Sequence, residues 1–285
     1  MNKILDGKAV AQKIIKDIQK DLSNKPKTLK RKPRLEIFSI GEYYTNEKYT
    51  LMKKKLAKEI CIECNIKKFP ISVKEQEILL EIEKANENKD IDGIIVQLPI
   101  PPDFNMNKIL NSISPEKDVD GLTSQNLGKI FTQDSTAFTP ATPLGILKIF
   151  QEYNISLESK NVVICGRSLI MGIPLFAKLL QQDASVTLVH SKTRNIKQIT
   201  SKADILISGI GKANFFTKEF LKENAIVIDV GISENPKTKK LTGDFDYENV
   251  FSKVKQITPV PGGVGATTVP SLMSNLLKAY FKNKG

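Results

Sequence analysis

Histidine and cysteine are scarce in this chain, with one histidine and three cysteines in 285 residues. A lone histidine without partners builds no metal site, so no metal is expected and His190 reads as a strand-end residue rather than a catalyst. Three cysteines are too few for a disulfide framework, and their odd number fits a reducing compartment. Cys61 and Cys64 make a C-x-x-C that lacks both a second pair and a nearby histidine; they read as two packing cysteines on a helix. Cys165, which closes an apolar strand, reads as core. No apolar run approaches the roughly 18 to 20 residues of a membrane span, and the first residues pass into a helical pattern without a signal or transit signature. A cytoplasmic protein with no membrane partner is therefore expected. Internal repeats and long low-complexity segments are also missing.

What is present is a 40% apolar composition on a chain long enough to divide into two domains. The formal charge of +12 is spread along the whole length. Since no aromatic-basic interleaving or recognition motif accompanies it, no nucleic-acid partner is expected. Such an excess attracts polyanionic small molecules, such as a phosphorylated cofactor or a substrate with several carboxylates.

Helical and strand-like segments alternate, which predicts an α/β protein with helix-covered parallel sheets. Val10, Ile14, Ile15, Ile18 and Leu22 fall at helical spacing and are followed by an apolar run over residues 35–40. A helix is predicted from about Asn46 to Cys64, a short strand at 66–69, a helix containing Ile78, Leu79, Ile82 and Ala85, and a strand at 91–98. The prolines of Pro140-Ala141-Thr142-Pro143 disfavour helix and mark a boundary. Beyond it, strands are predicted at 161–165, 185–190, 204–208 and 225–230, each separated by a helix-length segment, as in a doubly wound nucleotide-binding unit. Residues 259–265 are too rich in proline and glycine for helix, and a last helix at about 269–281 is expected to return to the first domain.

The first strand of the second block runs into Gly166-Arg167-Ser168-Leu169-Ile170-Met171-Gly172. Strand, glycine turn and helix start follow in the order that lets a backbone cradle a phosphate. The next strand ends in Val189-His190-Ser191-Lys192-Thr193-Arg194, without the carboxylate that would select NAD by its ribose hydroxyls. NADP is thus the expected cofactor, with Ser191 and Arg167 available to its 2′-phosphate.

In the first block one lysine stands apart. At about 100° per residue, Tyr49, Lys53, Leu56 and Ile60 share a helix face, while Lys54, Lys55 and Lys58 point away. A lysine on that apolar side has a lowered pKa, suited to acid-base work with a tyrosine hydroxyl nearby, unless it snorkels to water from the edge. Gln97 and Leu98 end the strand at 91–98, where open α/β sheets bind ligands. Lys117-Asp118-Val119-Asp120-Gly121 adds two carboxylates, each open to a turn-forming reading or a functional one.

Taken together these motifs resemble the bifunctional methylenetetrahydrofolate dehydrogenase/methenyltetrahydrofolate cyclohydrolase family. The similarity runs in order through Tyr49-x-x-x-Lys53-x-Lys55, residues 92–99, 117–121, Thr142-Pro143-x-Gly145, 166–168, 190–193, 229–232 and 258–265. It implies an N-terminal α/β catalytic domain (1–141, completed by 267–285) and a Rossmann-type NADP domain (142–266), in a homodimer with the folate cleft between the domains. It further implies that Lys53 is the principal acid-base residue, that Tyr49 stacks on the folate and hydrogen-bonds near Lys53, that Gln97 orients Lys53, and that Asp120 holds the pterin. Leu98, Pro261 and Gly262 would line the folate pocket. Arg167 and Ser191 would take the 2′-phosphate, with Gly166, Ser168, Thr142, Ile232 and Thr268 around the rest of the cofactor. The implied reactions belong to tetrahydrofolate interconversion in one-carbon metabolism and purine biosynthesis. The chain departs from the family pattern at Asn46, Cys61, Thr123 and Ala266-Thr267. A same-family dehydrogenase with weak cyclohydrolase activity, or another two-domain NADP dehydrogenase, remains the competing expectation.

Overall fold

Two parallel sheets organise the chain, and their central strands are buried on both faces, as alternating helices and strands require. The computed structural model describes residues 3–26, 29, 31–41, 44–234 and 239–282; the side chains of residues 44–46 and 48, and with them the Asn46 departure, lie outside the described residues. The chain forms two compact units, Ile14–Ala141 with Val269–Gly285, and Met1–Lys13 with Thr142–Thr268.

The first elements in chain order are α1 (Gly7–Ser23), β1 (Arg34–Ile40), α2 (Tyr44–Glu59), β2 (Glu63–Phe69), α3 (Glu75–Glu87), β3 (Gly93–Val96), α4 (Met106–Asn111) and α5 (Ser124–Phe131). Strand order is β2-β1-β3, with Leu35 in register with both Cys64 and Gly93. Central β1 is almost wholly buried, whereas β2, at an edge, is not. Phe38, Ile40, Ile78, Ile82, Ile94, Val96 and Ile109 pack into one core beneath the sheet.

The remaining elements are α6 (Ala141–Glu152), β4 (Asn161–Cys165), α7 (Gly172–Leu180), β5 (Ser185–Val189), α8 (Ile196–Thr200), β6 (Ile205–Ser208), β7 (Ile226–Asp229), β8 (Ser233–Glu234), β9 (Leu241–Thr242), α9 (Tyr247–Val250), β10 (Gln256–Ile257) and α10 (Val264–Lys282). Five strands run parallel in the order β10-β7-β6-β4-β5. The chain passes from β4 to β5 on one side and then crosses to β6 on the other. The crevice between β4 and β6 is therefore a topological switch point, where such sheets bind ligands. Cys165 is in the core of this unit, as expected, and burial pushes its thiol up to about 12.

Four boundaries differ from the sequence reading. Helix α2 stops at Glu59 because Cys61 turns into the left-handed region at φ 59°, while Ile62 N–H donates to Ala57 O at 2.8 Å and Cys61 N–H to Lys58 O at 3.4 Å. That is a Schellman end, which glycine normally provides; a side chain there costs about 1–2 kcal/mol. Cys61 is thus exposed in a turn and Cys64 lies half-buried on β2, so neither is borne by the helix. Pro143 stands in the first turn of α6, where a missing N–H removes no helix bond, so the two-proline segment starts a helix instead of excluding one. Helix α10 begins at Val264 and takes in Val264 and Gly265. The fourth difference concerns the domains. Leu5 N–H donates to Ile257 O and Ile257 N–H to Lys3 O, both at 2.9 Å, which ties the first thirteen residues to the β4–β10 unit and not to the β1–β3 unit. From Val269 onward α10 completes the β1–β3 unit: Asn275 Nδ2 donates to Val119 O and Thr139 O, and Leu276 packs against Gly93.

Candidate functional site

In the β1–β3 unit the chemistry gathers at the carboxyl ends of the strands. Gln97 follows β3 and its N–H donates to Phe38 O of β1 at 2.8 Å, which fixes the residue at the sheet's edge. Its side-chain amide is held at both ends. Nε2 donates to Leu98 O at 2.9 Å, and Oε1 accepts from Lys53 Nζ at 2.8 Å. Lys53 is only 9% exposed, whereas Lys54, Lys55 and Lys58 are exposed, so the helical spacing separated these lysines correctly. Burial lowers the pKa of Lys53, and the charge of Asp120, followed by Cys64, draws it back up. Burial likewise raises Asp120, opposed by Lys53 and reinforced by Asp118. Each group is thus pushed toward neutrality by desolvation and toward charge by the other, so the two are electrostatically coupled. The Cys64 thiol, pushed up to about 11 by burial, stays protonated.

Tyr49 stands one turn before Lys53 and is 36% exposed. Among the described residues its hydroxyl makes no hydrogen bond. The expected bond near Lys53 is absent, and the amine is directed at Gln97 instead.

The segment 117–121 divides its labour. Lys117 Nζ donates to the carbonyls of Ala85, Asn86 and Asn88 at 3.1, 2.6 and 2.8 Å and closes the end of α3. Asp118 accepts from Leu122 N–H, Thr123 N–H and Asn126 Nδ2 and is the turn former. Gly121 has φ 68°, and a Cβ there would lie 2.3 Å from Phe138 O, so the turn is closed to larger residues. Asp120 is half-buried and, among the described residues, its carboxylate accepts no hydrogen bond; it lies in the field of Lys53. The Thr123 departure has a local explanation: Thr123 caps α5, accepting from Asn126 N–H at 3.2 Å.

In the β4–β10 unit, Gly166 N–H donates to Val189 O at 2.9 Å, which brings the turn after β4 beside the end of β5. Arg167 and Ser191 therefore leave adjacent strand ends, both exposed. Among the described residues neither has a hydrogen-bond or ion-pair partner. Gly166 has φ 119°, and a Cβ on Gly172 would come within 2.0 Å of Gly166 O, so the start of α7 closes directly on the turn. This is a cradle that backbone alone can line, with a free guanidinium and a free hydroxyl at its rim, and it fits a phosphorylated dinucleotide. Ser168 lies in the same turn, its carbonyl accepting from Ile173 N–H at 3.1 Å. His190 is occupied locally: Nδ1 accepts from Lys192 N–H and its own N–H donates to Thr193 Oγ1.

Thr142 lies in the first turn of α6 and Thr268 in α10, where its hydroxyl donates to Val264 O. Ile232 is exposed, and a Cβ on Gly265 would sit 3.2 Å from its Cδ1, so it borders the start of α10. Pro261 and Gly262 belong to this same unit, not to that of Lys53. The Thr267 departure points inward, its hydroxyl donating to Val264 O at 2.8 Å, with Ala266 beside it in the same turn. Among the described residues no cluster of histidine, cysteine, aspartate and glutamate is placed to hold a metal, and no helix is long and apolar enough to cross a membrane. Sequence reasoning passed over Asp244 altogether, although its buried carboxylate organises the loop after β6.

Comparison with known proteins gives the same picture. Residues 5–120 match the tetrahydrofolate dehydrogenase/cyclohydrolase catalytic domain and residues 140–284 the NAD(P)-binding domain of that family. The bifunctional protein FolD of Thermodesulfovibrio yellowstonii is 42% identical over 97% of this chain and 96% of its own. The crystal structure of the bifunctional methylenetetrahydrofolate dehydrogenase/cyclohydrolase FolD of Campylobacter jejuni superposes with a TM-score of 0.94 at 35% identity, covering 98% of both chains. That of the Trypanosoma brucei enzyme, complexed with NADP cofactor and inhibitor, gives 0.93 at 31% identity and covers 99% of both. The chain belongs to the tetrahydrofolate dehydrogenase/cyclohydrolase family.

Proposed function

We propose that the chain oxidises 5,10-methylenetetrahydrofolate to the methenyl compound with NADP and hydrolyses that product to 10-formyltetrahydrofolate. The observation that carries this reading is a buried lysine held by an amide at a sheet's edge, with a carboxylate in its field and a dinucleotide cradle in the second unit. When bound, NADP would supply the acceptor for the hydride of the one-carbon bridge. Gly166, Ser168 and the start of α7 cradle its phosphates, Arg167 and Ser191 hold the 2′-phosphate, and Thr142, Ile232 and Thr268 border the remainder. Tyr49 supplies an aromatic face for the folate and Leu98 an apolar contact.

In the hydrolytic step water attacks the methenyl carbon. Neutral Lys53 takes the proton that water loses and returns it to the ring nitrogen as the carbon–nitrogen bond opens, while one proton leaves to solvent from the new formyl oxygen. Gln97 fixes the direction of the amine. Asp120 offers two acceptor oxygens to the N–H groups of the pterin edge. The chain acts as a cytoplasmic homodimer and supplies one-carbon units for syntheses such as that of purines.

The decisive assay follows absorbance with 5,10-methylenetetrahydrofolate and either NADP or NAD. Fast NADP-dependent methenyl formation and then decay above the enzyme-free rate is the expected outcome. Formation without accelerated decay leaves a dehydrogenase alone, and no reaction with either cofactor overturns the reading.

Asp120→Asn is expected to weaken folate binding. It should also move the Lys53-dependent limb of the cyclohydrolase pH profile to lower pH, because the charge that raises the lysine is gone. Wild-type folate affinity and turnover in this variant would remove Asp120 from the pterin site.

A further inference from the structure

Two carboxylates that the proposed chemistry does not use are buried side by side at the carboxyl edge of the five-stranded sheet. Asp229 ends β7 and is 3% exposed, and Asp244 is fully buried. Their arrangement is reciprocal. Asp229 accepts the N–H groups of Asp244 and Phe245 at 3.0 and 3.1 Å, together with that of Gly231 at 3.1 Å. It thereby holds the backbone that carries Asp244. The Asp244 carboxylate then reaches the loop after β6, taking Ser208 Oγ at 2.6 Å, Ile210 N–H at 2.7 Å and Lys212 N–H at 2.8 Å. Two glycines give way to the pair. A Cβ on Gly231 would lie 2.2 Å from Asp244 Oδ1, and one on Gly243 would lie 1.9 Å from Asp229 Oδ2.

The loop gripped in this way is not remote from the cradle. Gly209 follows Ser208, its N–H donates to Cys165 O at 3.1 Å, and its carbonyl would lie 3.3 Å from a Cβ on Gly166. The 209–212 loop is thus one wall of the switch-point crevice, and the turn of Gly166 is the other. On the opposite side Asp229 sets Gly231, next to Ile232. Three donors converging on one buried carboxylate fix a loop far more tightly than three bonds to water, since releasing any of them leaves a charge unsolvated. Burial also lifts Asp229 to about 7, against the backbone N–H bonds that lower it and with the charge of Asp244 adding to the rise, so near neutral pH the pair does not carry two full charges.

Resting on the cofactor reading above, we infer that Asp244, backed by Asp229, is a positioning residue for NADP: it sets the 209–212 loop and so shapes the crevice between β4 and β6. It touches neither reacting group, and the residues assigned to hydrolysis lie in the other unit.

The test compares the full-length wild type with Asp244→Asn and the milder Ser208→Ala. It measures the NADP dissociation constant by titration, the KM for NADP and for folate, and cyclohydrolase activity without cofactor. Asparagine turns an N–H pair toward backbone donors, so NADP affinity is expected to fall about ten- to a hundredfold. Ser208→Ala removes one donor and leaves the fold's volume unchanged, with an expected loss of about three- to tenfold. In both variants the KM for folate and the cofactor-free hydrolysis should stay within about twofold of wild type, a split that a merely structural role would not produce. Unchanged NADP affinity in Ser208→Ala and Asp244→Asn, or a parallel fall of hydrolysis and NADP affinity in Ser208→Ala, overturns the inference while the cofactor reading stands. A wild-type protein that does not bind NADP overturns that reading and the inference with it.

Discussion

Lys53→Met is expected to lower cyclohydrolase turnover by about a hundred- to ten-thousandfold, the range in which a positioned general acid-base group contributes, with the NADP dissociation constant unchanged. Methionine keeps the length of the side chain and suits the buried position better than an amine does, so α2 should keep its seat on the sheet. What disappears is Nζ, the group that Gln97 Oε1 holds at 2.8 Å. The amide then loses a buried partner at a cost of about 1–3 kcal/mol, which leaves the fold in place. The cradle at Gly166 belongs to the other unit and shares no residue with this change. The measurement is the decay of added methenyltetrahydrofolate, alongside an NADP titration of the same preparation. Hydrolysis at the wild-type rate would exclude Lys53 from the mechanism.

Arg167→Ala should weaken NADP by about ten- to a hundredfold, as expected for loss of a charge-assisted bidentate contact worth about 1.5–3 kcal/mol, and NAD by no more than about threefold. The guanidinium is exposed and, among the described residues, has no ion-pair or hydrogen-bond partner to lose, so its removal leaves the apo structure as it is. Its neighbour across the strand ends is Ser191, and no carboxylate stands at 190–194 to favour the ribose hydroxyls of NAD in its absence. The variant should therefore lose affinity for NADP without gaining any for NAD. Equal losses for the two cofactors, measured by parallel titrations, would take the 2′-phosphate role away from Arg167.

The alternation of helices and strands was legible because the strands in the middle of each sheet are short, mostly apolar segments, and the placing of Lys53 was legible because helical spacing alone puts it with Leu56 and Ile60. Elsewhere the decisive partner lies far along the chain. Asp118 and Asp120 look alike until Thr123 and Asn126 claim the first. The end of α2 was hidden because Cys61 occupies the left-handed position where a glycine would have announced it. Asp244 carries no local signal at all: its burial depends on donors 32 to 36 residues earlier. The assignment of the first thirteen residues depends on Ile257, which no pattern near Leu5 could reveal.

That exchange of ends has a consequence for the order in which the protein can be made. Leu5 leaves the ribosome long before its backbone partner Ile257. The unit built around β1 likewise lacks Leu276 over Gly93, and Asn275 beneath Val119 and Thr139, until residues 275 and 276 have been synthesised. Chains of successive domains fold one behind another as they emerge. Here both units wait for the same C-terminal stretch, so they reach completion together, and a chain released before residue 257 leaves each of them unfinished.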